Sequence, residues 1–536
     1  MDAEQFREAS HAAIEQIIDY FKTIEDRPVV PSLEPGYLRS LLPDSAPEKP
    51  ESWGQIQPDI ADKIIPGLTH WQHPNFMAFF PATVSYPSIL GEMYSAAFTA
   101  PGFNWLCSPA ATELETVVMD WLAKALGLPD CFRSLKDDGK PGAGGGVIHG
   151  SASEAVLTTI IAARERHIRN QAKSEGLVED TVEWEDRAME LRSRLVALAS
   201  DQAHSCTAKG ARIAGVRFRT VPTSYDNNLE MTGDSVRQTL LQCENAGMKP
   251  FFLTCSVGTT NTVAVDRLAE IKKVLQEKDE WKDIWIHIDA AYSGAAMVCE
   301  EYHYIAKDLA DGVDSFDMNT HKWLLVNFDA SCLFVRNSRD LTAALDMTPP
   351  YLQNPGPLTG IVTDYRNWQI PLGRRFRALK IWFVMRNYGL SGLKTHIRRT
   401  VKLGELFAQL ASERPDLFSF PTKPAFGLTT IRINGDTCIK HLGPYISSSS
   451  RSYQAPPSRE EMASDAVTLK VAELINQDGE IYITHSVAGE RNIIRFVSTN
   501  ERADEAHVRR AFDILVKHTE DLLSRKIPLT AEVALK

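Results

Sequence analysis

The chain is poor in several features that would define its class quickly. Its eight cysteines never stand closer than twelve positions within 536 residues. No CxxC pair exists, so a zinc ribbon or a thioredoxin-type motif is excluded, and a chain of this size needs no disulfide scaffold. The thiols read as reduced and the chain as cytoplasmic. Basic charge is short as well: 58 Lys and Arg against 69 Asp and Glu leave a net charge of −11. That balance excludes the basic footprint of a general nucleic-acid or anionic-membrane binder. No secretory leader is expected, because MDAEQFREASHAAIEQIIDYF carries charges where such a leader needs an apolar core. The longest weakly charged stretch, Ile64 to Thr112, holds only Glu92, yet Pro74, Pro81, Pro87 and Pro101 interrupt it. It reads as a buried, aromatic-rich wall of a pocket or subunit interface, not as a membrane span.

What is present describes a folded protein: 43% hydrophobic and 24% charged residues, with length enough for a sizeable core. Ile14, Ile17, Ile18 and Phe21 mark an amphipathic N-terminal helix. Thr112-x-x-Glu115 has the form of a capping box ahead of Val117, Val118, Trp121 and Leu122. From residue 146, short β-rich runs at 146–148, 195–198, 251–253 and 284–288 alternate with helical segments. That grammar predicts an α/β fold with a mostly parallel, doubly wound sheet. A helix-rich stretch over 374–411 leads to α+β grammar, with strands at 429–433, 481–483 and 493–497 and helices at 463–474 and near Val508 to Leu515. We divide the chain into an N-terminal helical segment (1–90), a large domain (91–400) and a small C-terminal α+β domain (401–536). Two loops stand out: the Ser/Pro-rich insertion at 444–459, and residues 348–360, which hold four prolines and Tyr351.

Three features carry chemistry. The run Gly142 to Gly146 lacks both a following GK[ST] and the third glycine of a dinucleotide fingerprint. It is followed by Gly150-Ser151-Ala152-Ser153-Glu154, which marks a helix start directly after a strand. The free N–H groups there serve either as a plain helix cap or as a cup for a small phosphate. Next, Ile286-His287-Ile288-Asp289-Ala290-Ala291 ends an apolar strand in an acid, where doubly wound sheets bind ligands; a lone Asp at such a place also serves as a cap. Finally, Lys322 stands between His321 and Trp323. It is either a snorkelling side chain or a buried amine whose lowered pKa suits a Schiff base.

Together, in the order 150–154, 289, 322, the three supply what pyridoxal 5′-phosphate (PLP) requires: a phosphate cup, an acid for the pyridinium nitrogen and a Schiff-base lysine. The chain resembles the aromatic-L-amino-acid decarboxylases of the group II PLP-dependent family. The likeness rests on EPGYLR at 34–39, THW at 69–71, SPAATELE at 108–115, GSASEA at 150–155, SDQAHS at 200–205, HIDAAYSG at 287–294, HKWLLVNFD at 321–329 and TDYRNWQIPLGRRFR at 363–377. It implies the aminotransferase-like fold (fold type I). It also implies that Lys322 holds PLP, that Asp289 keeps the ring nitrogen protonated and that His204 stacks on the ring. By the same resemblance Ser151, Ala152, Ser153 and Asn319 hold the phosphate, with Thr260, Ala291 and His321 nearby. Tyr351 matches the tyrosine of the family's catalytic loop, the acid that returns a proton to the substrate carbon; relatives with Phe there make aromatic acetaldehydes.

The resemblance further implies a substrate wall of Trp71, Phe79, Phe80, Pro81, Phe103 and Gly373, with His204. It implies a homodimer with shared sites, in which Phe103 and the Leu372-Gly373 stretch serve the partner subunit. Phe79 and Ala82 stand where animal relatives carry tyrosine and threonine, and Thr320 where they carry proline. A wall stripped of hydroxyls no longer rewards phenols or catechols. Gly373 matches a glycine that plant relatives carry for indolic substrates. These departures point to L-tryptophan, giving tryptamine and CO₂. Alternatives are Dopa, 5-hydroxytryptophan or tyrosine as substrate, aldehyde synthase chemistry, or a non-catalytic PLP-binding scaffold. No metal site is expected.

Overall fold

The computed structural model describes residues 1–346, 363–442 and 457–524. Its centre is a seven-stranded sheet built from β1 (Gly145–His149), β2 (Leu195–Ser200), β3 (Arg217–Val221), β4 (Lys249–Ser256), β5 (Trp285–Asp289), β6 (Ser315–Asn319) and β7 (Ser331–Val335). The spatial order is β1-β7-β6-β5-β4-β2-β3. Only β7 runs against its neighbours, pairing antiparallel with both β1 and β6. The mainly parallel α/β sheet is therefore as expected.

Period-two alternation explains how both faces are covered. Ile148, Leu198, Leu253, Ile286, Ile288 and Phe316 belong to one apolar cluster. Their strand neighbours Val147, Ala197, Phe252, Trp285 and Leu333 belong to another. Helix Ala152–Ser174 lies on the second face, and Pro109–Ala125 packs on β1.

Strands β3, β6 and β7 were not expected from the sequence. Ser315-Phe-Asp-Met-Asn319 and Ser331-Cys-Leu-Phe-Val335 are buried throughout; in the first, Asp317 and Asn319 are poor strand formers, so pairing and burial make it a strand. The helix expected from Thr112 instead begins at Pro109. Its cap is Ser108, whose Oγ accepts from Ala111 N, and Glu115 is drawn elsewhere.

The C-terminal part carries the second sheet, β10 (Thr484–Ala488), β11 (Arg491–Val497), β9 (Leu428–Ile433) and β8 (Phe418–Ser419), antiparallel in that spatial order. Helices Arg459–Asp478 and Glu505–Ser524 pack with it around Ile431, Val467, Ile494, Phe496 and Leu515. The strand expected at 481–483 is only a bridge between Tyr482 and Phe76. There the Asn476 side chain takes up both the N–H and the carbonyl of Ile483. Helix Ala378–Ser412 joins the two regions, with a break at Gly389.

The aromatic stretch divides into a buried part and an exposed part within the single chain. Phe76, Met77 and Ala78 are buried, but helix Tyr86–Phe98 leaves Tyr86, Leu90, Met93, Tyr94 and Phe98 exposed. At the N-terminus Phe21 packs against Tyr86, whereas Ile14 and Ile17 stand in solvent. No helix among the described residues is long and apolar enough to cross a membrane, and none of their acidic, His and Cys side chains cluster as a metal site. Of the two loops, 347–362 and 443–456 lie outside the described residues.

Candidate active site

Strand ends build the site, as expected for a sheet of this winding. β1 runs out at His149 into helix Ala152–Ser174, whose N-cap is Ser151 with Oγ accepting from Glu154 N. The reciprocal half of the expected capping box is absent. Glu154 Oε2 reaches the N–H of Gly150 at 3.0 Å, one residue further back. β2 ends at Ser200 and a short turn delivers His204. β4 ends at Ser256 and leads into Gly258-Thr259-Thr260. Gly258 has φ +90°, and a Cβ there would lie 1.9 Å from Ser293 Oγ, so the turn requires glycine. β5 ends at Asp289, and β6 at Asn319, one turn ahead of Lys322.

These ends enclose a cavity of about 180 Å³. Its walls bring together Ser151, Ala152, Ser153, His204, Thr260, Asp289, Ala291, Asn319 and Lys322, together with Phe80. Asp289 is buried. Its Oδ1 accepts from Ala291 N at 3.0 Å, and Cys206 Sγ stands 4.0 Å from Oδ2. The Lys322 amine lies 5.3 Å from the centre of the Phe80 ring and has no protein hydrogen bond among the described residues. Burial lowers the Lys322 pKa, while Asp289 and Asp317 pull it back up. Burial also lowers the His204 pKa, so its imidazole is held neutral. Phe80 stacks on Tyr292 at 3.8 Å, and Tyr292 on Trp323 at 4.8 Å. Thus the wall facing Lys322 is itself fixed from behind.

Other expected site residues lie elsewhere. His321, expected beside the cofactor, has its Nδ1 accepting from Ala330 N at 2.9 Å and its ring edge-on to Phe328. Burial pushes its pKa down to about 4, and it does not line the cavity. Trp71 and Phe79 stack on each other at 5.6 Å beside Phe76 and Tyr482, outside the cavity and more than a third exposed. Pro81 is half-buried next to Phe80. Phe103 and Gly373 do not line the cavity of their own chain. The Phe103 carbonyl accepts from Arg366 N, and nothing lies within 4 Å of a Cβ at Gly373. Tyr351 falls outside the described residues.

A family profile described as "Pyridoxal-dependent decarboxylase conserved domain" matches residues 35–434. The chain belongs to the pyridoxal-dependent decarboxylases. Among curated relatives, phenylacetaldehyde synthase of Arabidopsis thaliana is 40% identical over 529 residues, covering 98% of each chain. Aromatic-L-amino-acid decarboxylase of Rattus norvegicus is 39% identical over 525 residues, again 98% of each. Among solved structures, Catharanthus roseus tryptophan decarboxylase in complex with L-tryptophan superposes with a TM-score of 0.82 at 37% identity, covering 97% of this chain and 99% of that one.

Several residues at or beside this cavity were not singled out from sequence. Cys206, Ser256, Gly258, Thr259 and Tyr292 all line the cavity; Ser256 and Tyr292 follow apolar strands, as Asp289 does, and were readable on that ground. Arg495 sits in β11 with its guanidinium 5.1 Å from the centre of Phe80, buried, and with Nη2 lacking a partner. Its signal was a lone cation inside Ile493-Ile494-Arg495-Phe496-Val497.

Proposed function

We propose that this decarboxylase removes CO₂ from an aromatic L-amino acid, with PLP carried on Lys322 and L-tryptophan as the preferred substrate, giving tryptamine. One observation carries the reading. A half-buried lysine amine without a protein hydrogen-bond partner among the described residues shares a strand-end cavity with a buried carboxylate and a helix N-terminus. The donor set suits the group: Ser151, Ser153 and the N–H groups of a 23-residue helix face the cavity, and Asn319 Oδ1 is buried without a partner. Bound there, PLP supplies an aldehyde for an amine and a ring that accepts electrons.

Each residue then has a task. Lys322 offers its amine and later takes it back. Asp289 holds a proton on the nitrogen facing it, His204 covers the flat face of the site, and the serines and Asn319 anchor the phosphate. Phe80 and Tyr292 exclude water from the place where a carboxylate loses its charge. Arg495, anchored by its Nε on the Asn261 carbonyl with Nη2 left free behind Phe80, attracts that carboxylate on approach. Tyr351 gives the proton that replaces CO₂, and this assignment favours amine over aldehyde as product. The substrate assignment rests on the family resemblance at Phe79, Ala82 and Gly373, which lie outside the cavity of their own chain: they offer a phenol no hydroxyl, and the space beside Gly373 is open. The exposed apolar face of helix Tyr86–Phe98 suits a homodimer in which Phe103 and Gly373 complete the other site, since obligate interfaces resemble a cut core. We place the enzyme in the cytoplasm.

The test is a product panel. Purified chain with PLP is incubated with tryptophan, 5-hydroxytryptophan, Dopa, tyrosine and phenylalanine, and amine, aldehyde and peroxide are quantified. Tryptamine should dominate. Lys322→Ala should abolish both the visible band and CO₂ release, and Tyr351→Phe should cut amine formation by roughly 10²–10⁴-fold. Dopa turnover equal to that of tryptophan overturns the substrate assignment, and aldehyde as main product overturns the role of Tyr351.

A further inference from the structure

Beneath the site lies a polar chain that the proposed reaction does not use. β5 and β6 are parallel and in register, His287 facing Ser315 and Asp289 facing Asp317. Partners in a parallel ladder point to the same face, so Trp285, His287 and Asp289 share a face with Ser315, Asp317 and Asn319. On that face the Trp285 indole donates to Ser315 Oγ at 2.8 Å, and Ser315 Oγ lies 2.8 Å from His287 Nδ1. His287 Nε2 stands 3.1 Å from Asp317 Oδ1. His287, Ser315 and Asp317 are all fully buried.

Proton inventory gives the chain a direction. An indole only donates, so the serine hydroxyl accepts from it and keeps its own proton for Nδ1. The remaining ring proton then sits on Nε2, within 3.1 Å of Asp317 Oδ1 but off the line of a hydrogen bond, so the imidazole acts on the carboxylate through close polar contact. A carboxylate buried this deeply persists only with such a contact or a cation beside it. The titratable groups around Asp317 are His287 and Asp289 on β5, Cys332 on β7, Cys206 on helix Cys206–Ile213, and Lys322. Among these, His287 and Lys322 can carry a positive charge, and Lys322 is itself faced by Asp289, Cys206 and, from β11, Arg495. Asp317 stands level with Asp289 at the cavity end of the sheet, and His287 lies two residues further in, so the pair turns its negative end toward Lys322.

We propose that Asp317, held as an anion by the Trp285–Ser315–His287 chain, is a positioning residue that places a second negative charge under Lys322 and so keeps the lysine nitrogen protonated. Two carboxylates, Asp289 and Asp317, then match two cationic nitrogens in the site, one on the ring and one on the lysine. Burial pushes the Asp317 pKa up to about 6 and the His287 contact pulls it down. At neutral pH the group is therefore mostly ionised.

The inference rests on Lys322 being the cofactor lysine, and its test separates the two. The full chain stripped of PLP is labelled with an amine-reactive reagent across pH 6–10, and modification of Lys322 is read by mass spectrometry. PLP should protect Lys322 in the unaltered chain; failure of protection sinks the functional reading. Asp317→Asn should move half-labelling of Lys322 about one pH unit lower, giving about tenfold more free amine below the midpoint. His287→Gln should act in the same direction, because Asp317 without the imidazole beside it takes up a proton, and the double variant should match Asp317→Asn alone. A merely structural role would lower thermal stability and leave the labelling midpoint in place. A folded Asp317→Asn chain with an unmoved midpoint overturns the proposal, and where that variant does not fold, an unmoved midpoint in His287→Gln does so.

Discussion

Glu115 and Arg374 are both buried and grip each other through two hydrogen bonds of 2.9 and 2.6 Å. The same carboxylate accepts from Ile148 N, and Arg374 also binds Gln369 and lies over the Tyr365 ring. This pair fixes the end of β1, two residues ahead of Gly150 and the Ser151 helix cap that lines the cavity. Removing one partner strands the other's charge, so Arg374→Met should destabilise the fold by about 3–5 kcal/mol. Adding Glu115→Gln should recover part of that loss, as read by urea unfolding. The sequence presents Glu115 as a capping residue because only its neighbours are visible there; its true partner lies 259 positions away. The same limit applies to His321, whose chain position beside Lys322 conceals a ring turned toward Ala330. That Asp289 and Ser151 meet at one cavity was legible because strand-end chemistry is local, an apolar run followed by an abrupt polar residue, while Lys322 stood out as a lone cation running into Trp323, Leu324 and Leu325.

Helices Tyr86–Phe98 and Ala378–Ser412 cross so closely that a Cβ on Gly91 would come within 2.8 Å of the Lys380 Cα. Backbone cannot yield as a flexible side chain can. Gly91→Ala should therefore cost about 1–3 kcal/mol through overpacking, again measured by denaturant unfolding, and should loosen the helix that carries the exposed apolar face. Lys380, fully buried at this crossing, gives its protons to the carbonyls of Asn327 and Asp329 and lies 3.1 Å from Glu92. The cluster Arg374, Arg375, Arg377 and Lys380 is thus a set of ion pairs with Glu92, Glu115 and Asp329. Helices with a strong apolar period were readable as elements. β6 was not, because Asp317 and Asn319 are poor strand formers that earn their place through ladder partners and the polar chain beneath the site.

At the scale of the molecule, acid sensitivity has a nameable source in His396, buried on helix Ala378–Ser412 with Nε2 unpartnered. Burial, with Arg399 adding to it, pushes its folded pKa down to about 3. The unfolded chain takes up that proton below about pH 6.5 while the folded chain does not, so stability falls as pH drops from there toward 3. Between pH 7 and pH 5, His396→Gln should lose about 2 kcal/mol less than the unaltered chain, as measured by paired urea titrations. Fold class could be read from alternating strands and helices, but the strand order could not. Nothing local to Gly145–His149 says that its neighbour is β7, nor that β7 alone runs against the rest.

That pairing bears on how the protein is made. Gly145 faces Val335 across the sheet, so the first strand of the large sheet must wait for that sheet's last strand before its one paired edge is closed. Throughout that interval β1 offers bare amides and an apolar pair, Val147 and Ile148, to any passing strand. Slow translation or a premature stop ahead of residue 331 would leave nascent chains prone to sticking together, whereas everything from β2 to β6 can assemble as it emerges.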